Sequence, residues 1–312
     1  MKMKIVKGIR NLFVTLLLAA AAFAGWRMFD RPEANAYSGN FSYSVTENRS
    51  GGDYKTLSMS RDNVHSGYLI LVNPKNACRS GGAGSVSVYD LKNNSYKVRD
   101  KNVLLNEEVI RALNEMMADF DRAKSDRTVN VISGYRTEDE QRQLLDAQTA
   151  NRGEAEAAMW VAKPGFSEHH TGLTLDFGLY FENGTSASFD GRGKYAWITE
   201  NCLNYGFVVR YPEGKEALTG ISYEPWHLRY VGVPHAYMMK EKNFCLEEYI
   251  DFLWGFQFDG KRLEVNADGR QYEIYFTAGT KVSVPENRSY EISGNNADGF
   301  IVTVELITNQ SN

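Results

Sequence analysis

Three of the chain's five histidines fall in two short segments: Ser167-Glu168-His169-His170-Thr171-Gly172-Leu173-Thr174-Leu175-Asp176 and Glu224-Pro225-Trp226-His227. Two imidazoles and one carboxylate drawn from both segments make a three-ligand metal site with a fourth position open. That is the ligand count of a catalytic zinc, whereas a structural zinc takes four protein ligands. Glu224 is then left over beside the metal, where a carboxylate acts as a base. His169 and His170 are adjacent, so on an extended chain they point in opposite directions and only one reaches a given metal. The spacings from His169 to Asp176 and from Glu224 to His227 are weak signals taken singly. The same residues also read as a metal-free cluster of hydrogen-bonded histidines and carboxylates. His65 and His235 stand alone, and each reads as a structural histidine.

A third segment places a cation near an anion-binding position. The short strand expected over Val129–Ile132 runs into Ser133-Gly134-Tyr135-Arg136-Thr137. Thr137 and Glu140 form a capping box that starts a helix carrying Gln141, Leu144 and Leu145 and reaching Trp160. Arg136 therefore sits where free helix amides and a guanidinium converge. On position alone, a plain surface arginine in a turn is the favoured reading.

The elements that hold these residues follow from pattern. Leu173, Leu175 and Phe177 alternate with Thr174 and Asp176, which is strand spacing and turns Asp176 away from the core-facing side. Strands are also expected over Gly67–Asn73, Val86–Tyr89, Phe207–Tyr211 and Leu228–Val231. A long helix is capped by Asn106 and buries Val109, Leu113, Met116, Met117 and Phe120. Further helices are expected over Tyr195–Tyr205, ended by Gly206, and Leu246–Leu253. From about Phe256, Asn266-Ala267-Asp268-Gly269 and Asn296-Ala297-Asp298-Gly299 repeat one hairpin-turn signature. The reading divides the chain into residues 1–36 (targeting segment), 37–66 (polar lead-in), 67–254 (the domain with the histidines) and 255–312 (a small all-β appendage without histidine or cysteine).

The 312 residues have a globular composition, 43% hydrophobic, and a net charge of -4. That charge gives no general pull toward nucleic acid or an anionic membrane. Cys78, Cys202 and Cys245 are too few and too scattered for a disulfide framework or a cysteine metal site, and each reads as a small buried residue. Lys2, Lys4, Lys7 and Arg10 precede an apolar run from Leu12 to Trp26. This is the layout of a signal peptide, cleavable at Ala22-Phe23-Ala24 or Ala34-Asn35-Ala36, or of a short retained anchor. Either way the remainder is exported.

Taken together, Ser167-x-His169-x-x-Gly172-x-x-x-Asp176, Glu224-Pro225-Trp226-His227 and Ser133-Gly134-Tyr135-Arg136-Thr137-x-x-x-Gln141 resemble the D-alanyl-D-alanine carboxypeptidases of the vancomycin-resistance VanY type. That zinc peptidase family also contains the VanX dipeptidases. The resemblance runs from about Gly67 to Gly232 and includes Tyr205–Lys215. Thr174 departs from the usual alanine, and His170 from a frequent glutamine. The resemblance implies zinc (Zn2+) held by His169, Asp176 and His227, with Glu224 as general base. It implies that Arg136 stabilises the oxyanion or holds a substrate carboxylate, and that Gln141 and Ser167 support or line the substrate site. Tyr135 and Trp226 read equally as walls of the pocket or as packing residues. The implied fold is α+β, an antiparallel sheet with flanking helices as in the hedgehog and DD-peptidase group. The implied activity is removal of the terminal D-Ala from peptidoglycan stem peptides at the bacterial cell wall. The alternatives are an LD-carboxypeptidase on tetrapeptide stems and a zinc-stabilised wall-binding or sensing domain without turnover. Antibiotic resistance and routine wall trimming are both compatible roles.

Overall fold

The computed structural model describes residues 41–47, 53–82 and 84–306. The signal or anchor expected over 1–36 lies outside them. Among the described residues no helix is long and apolar enough to cross a membrane.

The lead-in is more structured than its composition implies. It supplies strands β1 (Ser42–Thr46) and β2 (Tyr54–Ser58), then a short 3-10 turn over Arg61–His65. Both strands are largely exposed, so their polar sequence fits an edge position and hides the strand signal. Gly67–Asn73, expected as a strand, is buried but irregular. Its backbone is satisfied from elsewhere: Leu69 N–H donates to Ser293 Oγ (2.8 Å), and Leu71 N–H to the Asn295 carbonyl (3.3 Å). An apolar run reports burial, and burial alone does not imply a ladder partner.

Next come β3 (Ser85–Ser87), α1 (Val88–Leu91), β4 (Lys97–Val98), β5 (Leu104–Asn106), α2 (Glu107–Lys124) and β6 (Val129–Ser133). The strand expected to reach Tyr89 gives way to α1. The expected cap on α2 is present: Asn106 Oδ1 accepts from Glu108 N–H at 3.0 Å. The helix expected from Thr137 to Trp160 is two, α3 (Glu138–Arg152) and α4 (Glu154–Ala157). Gly153, at φ 83°, ψ 159°, cannot continue the first of them. The chain continues through β7 (Thr174–Tyr180), β8 (Ser186–Ser188), α5 (Ala196–Asn201), β9 (Phe207–Val209), α6 (Glu216–Thr219) and β10 (His227–Tyr230). The helical stretch around α5 is extended by 3-10 turns and stops at Gly206, φ 79°, as expected. The sheet has the order β4-β6-β7-β10-β9, with β8 paired to the far end of β7. All its pairs are antiparallel except β4 with β6.

Two helices follow, α7 (Val233–Lys242), which the sequence pattern does not announce, and α8 (Leu246–Leu253), which it does. Residues 233–239 of α7 are all buried, so it has no polar stripe to reveal a helical period. The last strands are β11 (Arg262–Ala267), β12 (Arg270–Ala278), β13 (Lys281–Pro285), β14 (Tyr290–Gly294) and β15 (Gly299–Leu306). They form a sheet ordered β1-β11-β12-β15-β14, with β13 paired to β2. The first expected hairpin joins β11 to β12, with Asp268 and Gly269 both at positive φ; the second joins β14 to β15.

The C-terminal strands are not an appendage in packing terms. Leu263, Val265, Ile274 and Ile301 share one core with Met238, Leu246, Tyr249 and Leu253 of α7 and α8. The opposite face, with Tyr275, Phe300 and Val302, packs on Val282, Val284 and Val64. The expected boundary near residue 255 runs through the first of these cores. All described residues belong to one compact unit.

Candidate metal centre and active site

Register brings the two motif segments together. On antiparallel β7 and β10, His227 stands directly opposite Asp176. A bulge in the β6–β7 pairing sets Ser133 opposite Asp176 on the other side. Directly opposed residues project to one face with Cβ atoms roughly 4.5–5.5 Å apart. His169 comes from a 3-10 turn over Glu168–Thr171, whose leading Ser167 Oγ accepts from His169 N–H at 3.4 Å. Gly172, at φ 71°, ends that turn, and a Cβ there would lie 2.3 Å from Ser85 Oγ.

Possible ligand atoms of His169, Asp176 and His227 all lie within 4.8 Å of one another. His169 Nδ1 is 2.6 Å from the Gly134 carbonyl, which can only accept, so Nδ1 carries the proton. Burial first, then repulsion from Arg136, pushes this imidazole down to about 4 against the attraction of Asp176, so it is neutral at pH 7. Its Nε2 is then a bare lone pair 3.1 Å from Asp176 Oδ2. Two acceptors at that distance need a proton or a metal cation between them. Asp176 Oδ1 is buried without a hydrogen-bond partner, 3.0 Å from His227 Nδ1. Two imidazoles and one carboxylate suit zinc, so these residues fit the ion that the motifs imply.

His170 is excluded from this set. Its Nδ1 donates to the Arg136 carbonyl (2.6 Å), and its Nε2 accepts from Gly165 N–H (3.0 Å). The two solitary histidines are also satisfied. His65 Nδ1 meets Asn296 Oδ1 at 2.7 Å, and His235 sits between Tyr249 Oη (2.7 Å) and Thr303 Oγ1 (2.9 Å).

Glu224 Oε2 lies 3.5 Å from His227 Nδ1. Burial and the Asp176 charge push its carboxyl up to about 9, while Arg136 opposes them. A cation held by the triad would act in the same direction as Arg136. Arg136 approaches Asp176 Oδ2 at 3.7 Å, and its guanidinium is aimed by Gln141 Oε1 (2.6 Å) and Ser133 Oγ (2.8 Å). Gln141 is itself fixed, its Nε2 donating to the Ala162 carbonyl at 2.7 Å. The capping box that starts this helix is present: Thr137 N–H donates to Glu140 Oε2 (2.8 Å) and Glu140 N–H to Thr137 Oγ1 (3.2 Å).

These groups line a cavity of about 720 Å³ that also touches Ser167, Tyr135 and Trp226. Trp160 stacks on Trp226 along its wall, with ring centroids 6.2 Å apart, and Tyr211 packs on the His227 ring at 4.7 Å. Ser133, Trp160 and Tyr211 also line the site, although nothing in their sequence context marks them as site residues. Outside the motif positions, Glu168, Arg210 and Arg229 form a buried charged cluster behind the triad. A signal was available for the arginines: each interrupts an apolar run at a position the expected strands bury. The three cysteines are free thiols; Cys202 and Cys245 are buried and Cys78 only partly so.

The chain is similar to known proteins over most of its length. The VanY family model, described as D-alanyl-D-alanine carboxypeptidase, matches residues 102–233. A D-alanyl-D-alanine carboxypeptidase of Enterococcus faecium is 36% identical over 309 residues, which cover 95% of this chain and 96% of the relative. The bifunctional D-Ala-D-Ala dipeptidase and carboxypeptidase VanXYC of Enterococcus gallinarum is 41% identical over 131 residues, 41% of this chain and 69% of the relative. The crystal structure of the vancomycin-resistance D,D-dipeptidase VanXYg, in complex with a D-Ala-D-Ala phosphinate analogue, is similar with a TM-score of 0.73. It is 34% identical and covers 82% of this chain and 100% of that one.

Proposed function

This chain belongs to the VanY family of D-alanyl-D-alanine carboxypeptidases, and from that premise we propose that it removes the terminal D-Ala of peptidoglycan stem peptides with zinc as its metal. The observation that carries the reading is the convergence of His169, Asp176 and His227 with Glu224 and Arg136 on the wall of one cavity. His169 through Nε2, Asp176, and His227 through Nδ1 hold the ion. When bound, zinc acidifies a water to a pKa near ~7 and polarises the scissile carbonyl.

Glu224 takes the proton of the attacking water and delivers it to the departing amine of D-alanine. Arg136 offsets the negative charge that builds on the carbonyl oxygen. Gln141 and Ser133 keep its guanidinium aimed, and Ser167 holds the turn that presents His169. A cavity of this size accepts several residues of a stem peptide upstream of the cleaved bond. Peptidoglycan lies outside the cytoplasmic membrane, so the basic and apolar start of the chain is its export signal or anchor.

The test gives the full chain two stem peptides, a pentapeptide ending in D-Ala-D-Ala and the tetrapeptide lacking the last residue, and identifies products by mass spectrometry. The reading expects D-Ala and tetrapeptide from the first, and no release by Glu224→Ala. Release from the tetrapeptide alone would make the enzyme an LD-carboxypeptidase.

A further inference from the structure

Arg210 and Arg229 are among the largest fully buried side chains of the described protein. Both converge on one carboxylate oxygen: Glu168 Oε1 accepts from Arg210 Nε and from Arg229 Nη1, each at 2.7 Å. Glu168 Oε2 accepts from the Thr174 hydroxyl at 3.3 Å. Arg210 turns its other edge to Glu247, with bonds of 2.9 and 2.7 Å. Arg229 Nη2 donates to the carbonyls of Tyr68 and Ile70, both at 2.9 Å. Two cations face two carboxylates, and every guanidinium nitrogen of the pair has a hydrogen-bond partner. Stability is a weak reason for such a cluster, because well-packed apolar residues often serve as well or better.

Its placement supplies another reason. Glu168 immediately precedes His169 in the same 3-10 turn. Thr174 lies two residues before Asp176 on β7, and Arg229 two residues after His227 on β10. Arg210 N–H donates to the His227 carbonyl at 3.1 Å. All three members of the metal triad are therefore braced from behind by one network. The network also extends away from the site. Asn73 Nδ2 donates to Glu247 Oε1 (3.1 Å), and the Leu71 carbonyl accepts from Asn296 Nδ2 (2.8 Å), in the loop between β14 and β15.

We infer that Glu168, clamped by Arg210, Arg229 and Thr174, is a positioning residue that sets the pose of the His169–Asp176–His227 triad and ties it to the C-terminal sheet. The inference rests on the metal reading of that triad. Glu168 touches no substrate; it acts through the backbone turn and strands that carry the ligands. Groups that orient metal ligands typically change metal affinity or activity by ~10–100-fold when lost.

The experiment measures zinc affinity by competition with a chromophoric chelator, together with kcat, KM and thermal unfolding, on three full-length proteins. These are Glu168→Gln, Thr174→Val and a fourfold apolar replacement, Glu168→Leu with Arg210→Met, Arg229→Met and Glu247→Leu. The fourfold variant is expected to unfold cooperatively yet lose ~10–100-fold in zinc affinity and kcat, with KM within about threefold of wild type. Glu168→Gln is expected to lose zinc affinity and kcat in the same direction, and Thr174→Val to a smaller extent. If the fourfold protein does not fold, Glu168→Gln decides, because it keeps the side-chain volume. Wild-type zinc affinity and kcat in Glu168→Gln would overturn the inference alone. A wild-type chain that binds no zinc would overturn the metal reading and the inference with it.

Discussion

His169 shows how single atoms define the site. Its one proton is held by the Gly134 carbonyl, which leaves Nε2 bare toward Asp176. The motif words name the proposed ligand set, but spacing alone does not separate His169 from His170. The hydrogen bonds do, by using both nitrogens of His170 elsewhere. Two substitutions probe this scale. Glu224→Gln removes the proton carrier and leaves the triad, so kcat should fall ~10²–10⁴-fold while zinc content, read by atomic emission, stays at wild type. Arg136→Met removes a charge aimed at the reacting carbonyl and should cost about 3–4 kcal/mol in kcat/KM. Gln141→Leu should fall in the same direction by less, since Ser133 still holds the guanidinium.

Elements carry these atoms through register and tight turns. The strand with Asp176 was legible from its alternation. Its pairing with β10, which places His227 opposite Asp176, was not, because register depends on partners some fifty residues away in the chain. The same limit explains β1 and β2, whose partners lie more than two hundred residues later. It also explains Gly67–Asn73, which is gripped by side chains and by the loop after β14 instead of a strand. Gly134 is where element and residue meet. A Cβ there would lie 2.2 Å from the Leu104 carbonyl oxygen, so Gly134→Ala must shift the backbone on one side of that contact, and Gly134 carries the carbonyl that orients His169. The expected outcome is weaker zinc affinity together with a lower melting temperature. A drop in melting temperature with zinc affinity unchanged would separate the two roles.

Over the whole molecule, the sheet that looked detachable in sequence shares its core with α7 and α8. Each buried Leu, Ile or Phe side chain contributes roughly 1.5–3 kcal/mol. Truncation after Leu253 exposes several at once, and it should yield aggregated protein instead of a smaller active enzyme, as read by size-exclusion chromatography. His235 of α7, which meets Tyr249 of α8 and Thr303 of β15, gives this interface a pH dependence. Burial pushes its imidazole down to about 3, below the unfolded value of ~6.5. The stability that follows is fully present above ~6.5 and is lost as pH falls from there toward 3, at up to about 1.4 kcal/mol per pH unit. Urea midpoints at pH 7 and pH 5 should therefore differ in wild type, and differ less in His235→Gln. Below the ordinary carboxylate range Glu168 adds to the effect. Burial alone would raise its carboxyl, but Arg210 and Arg229 outweigh that and hold it low, so its contribution is lost as pH falls through that lowered value.

The account stands most directly on the position of the metal in the active enzyme. Anomalous diffraction at the zinc absorption edge, on crystals of protein that releases D-Ala from a pentapeptide stem, locates it. The account predicts one strong peak bounded by His169 Nε2, the Asp176 carboxylate and His227 Nδ1, with Glu224 alongside. Full activity with no peak there, or a peak held by other side chains, would contradict it.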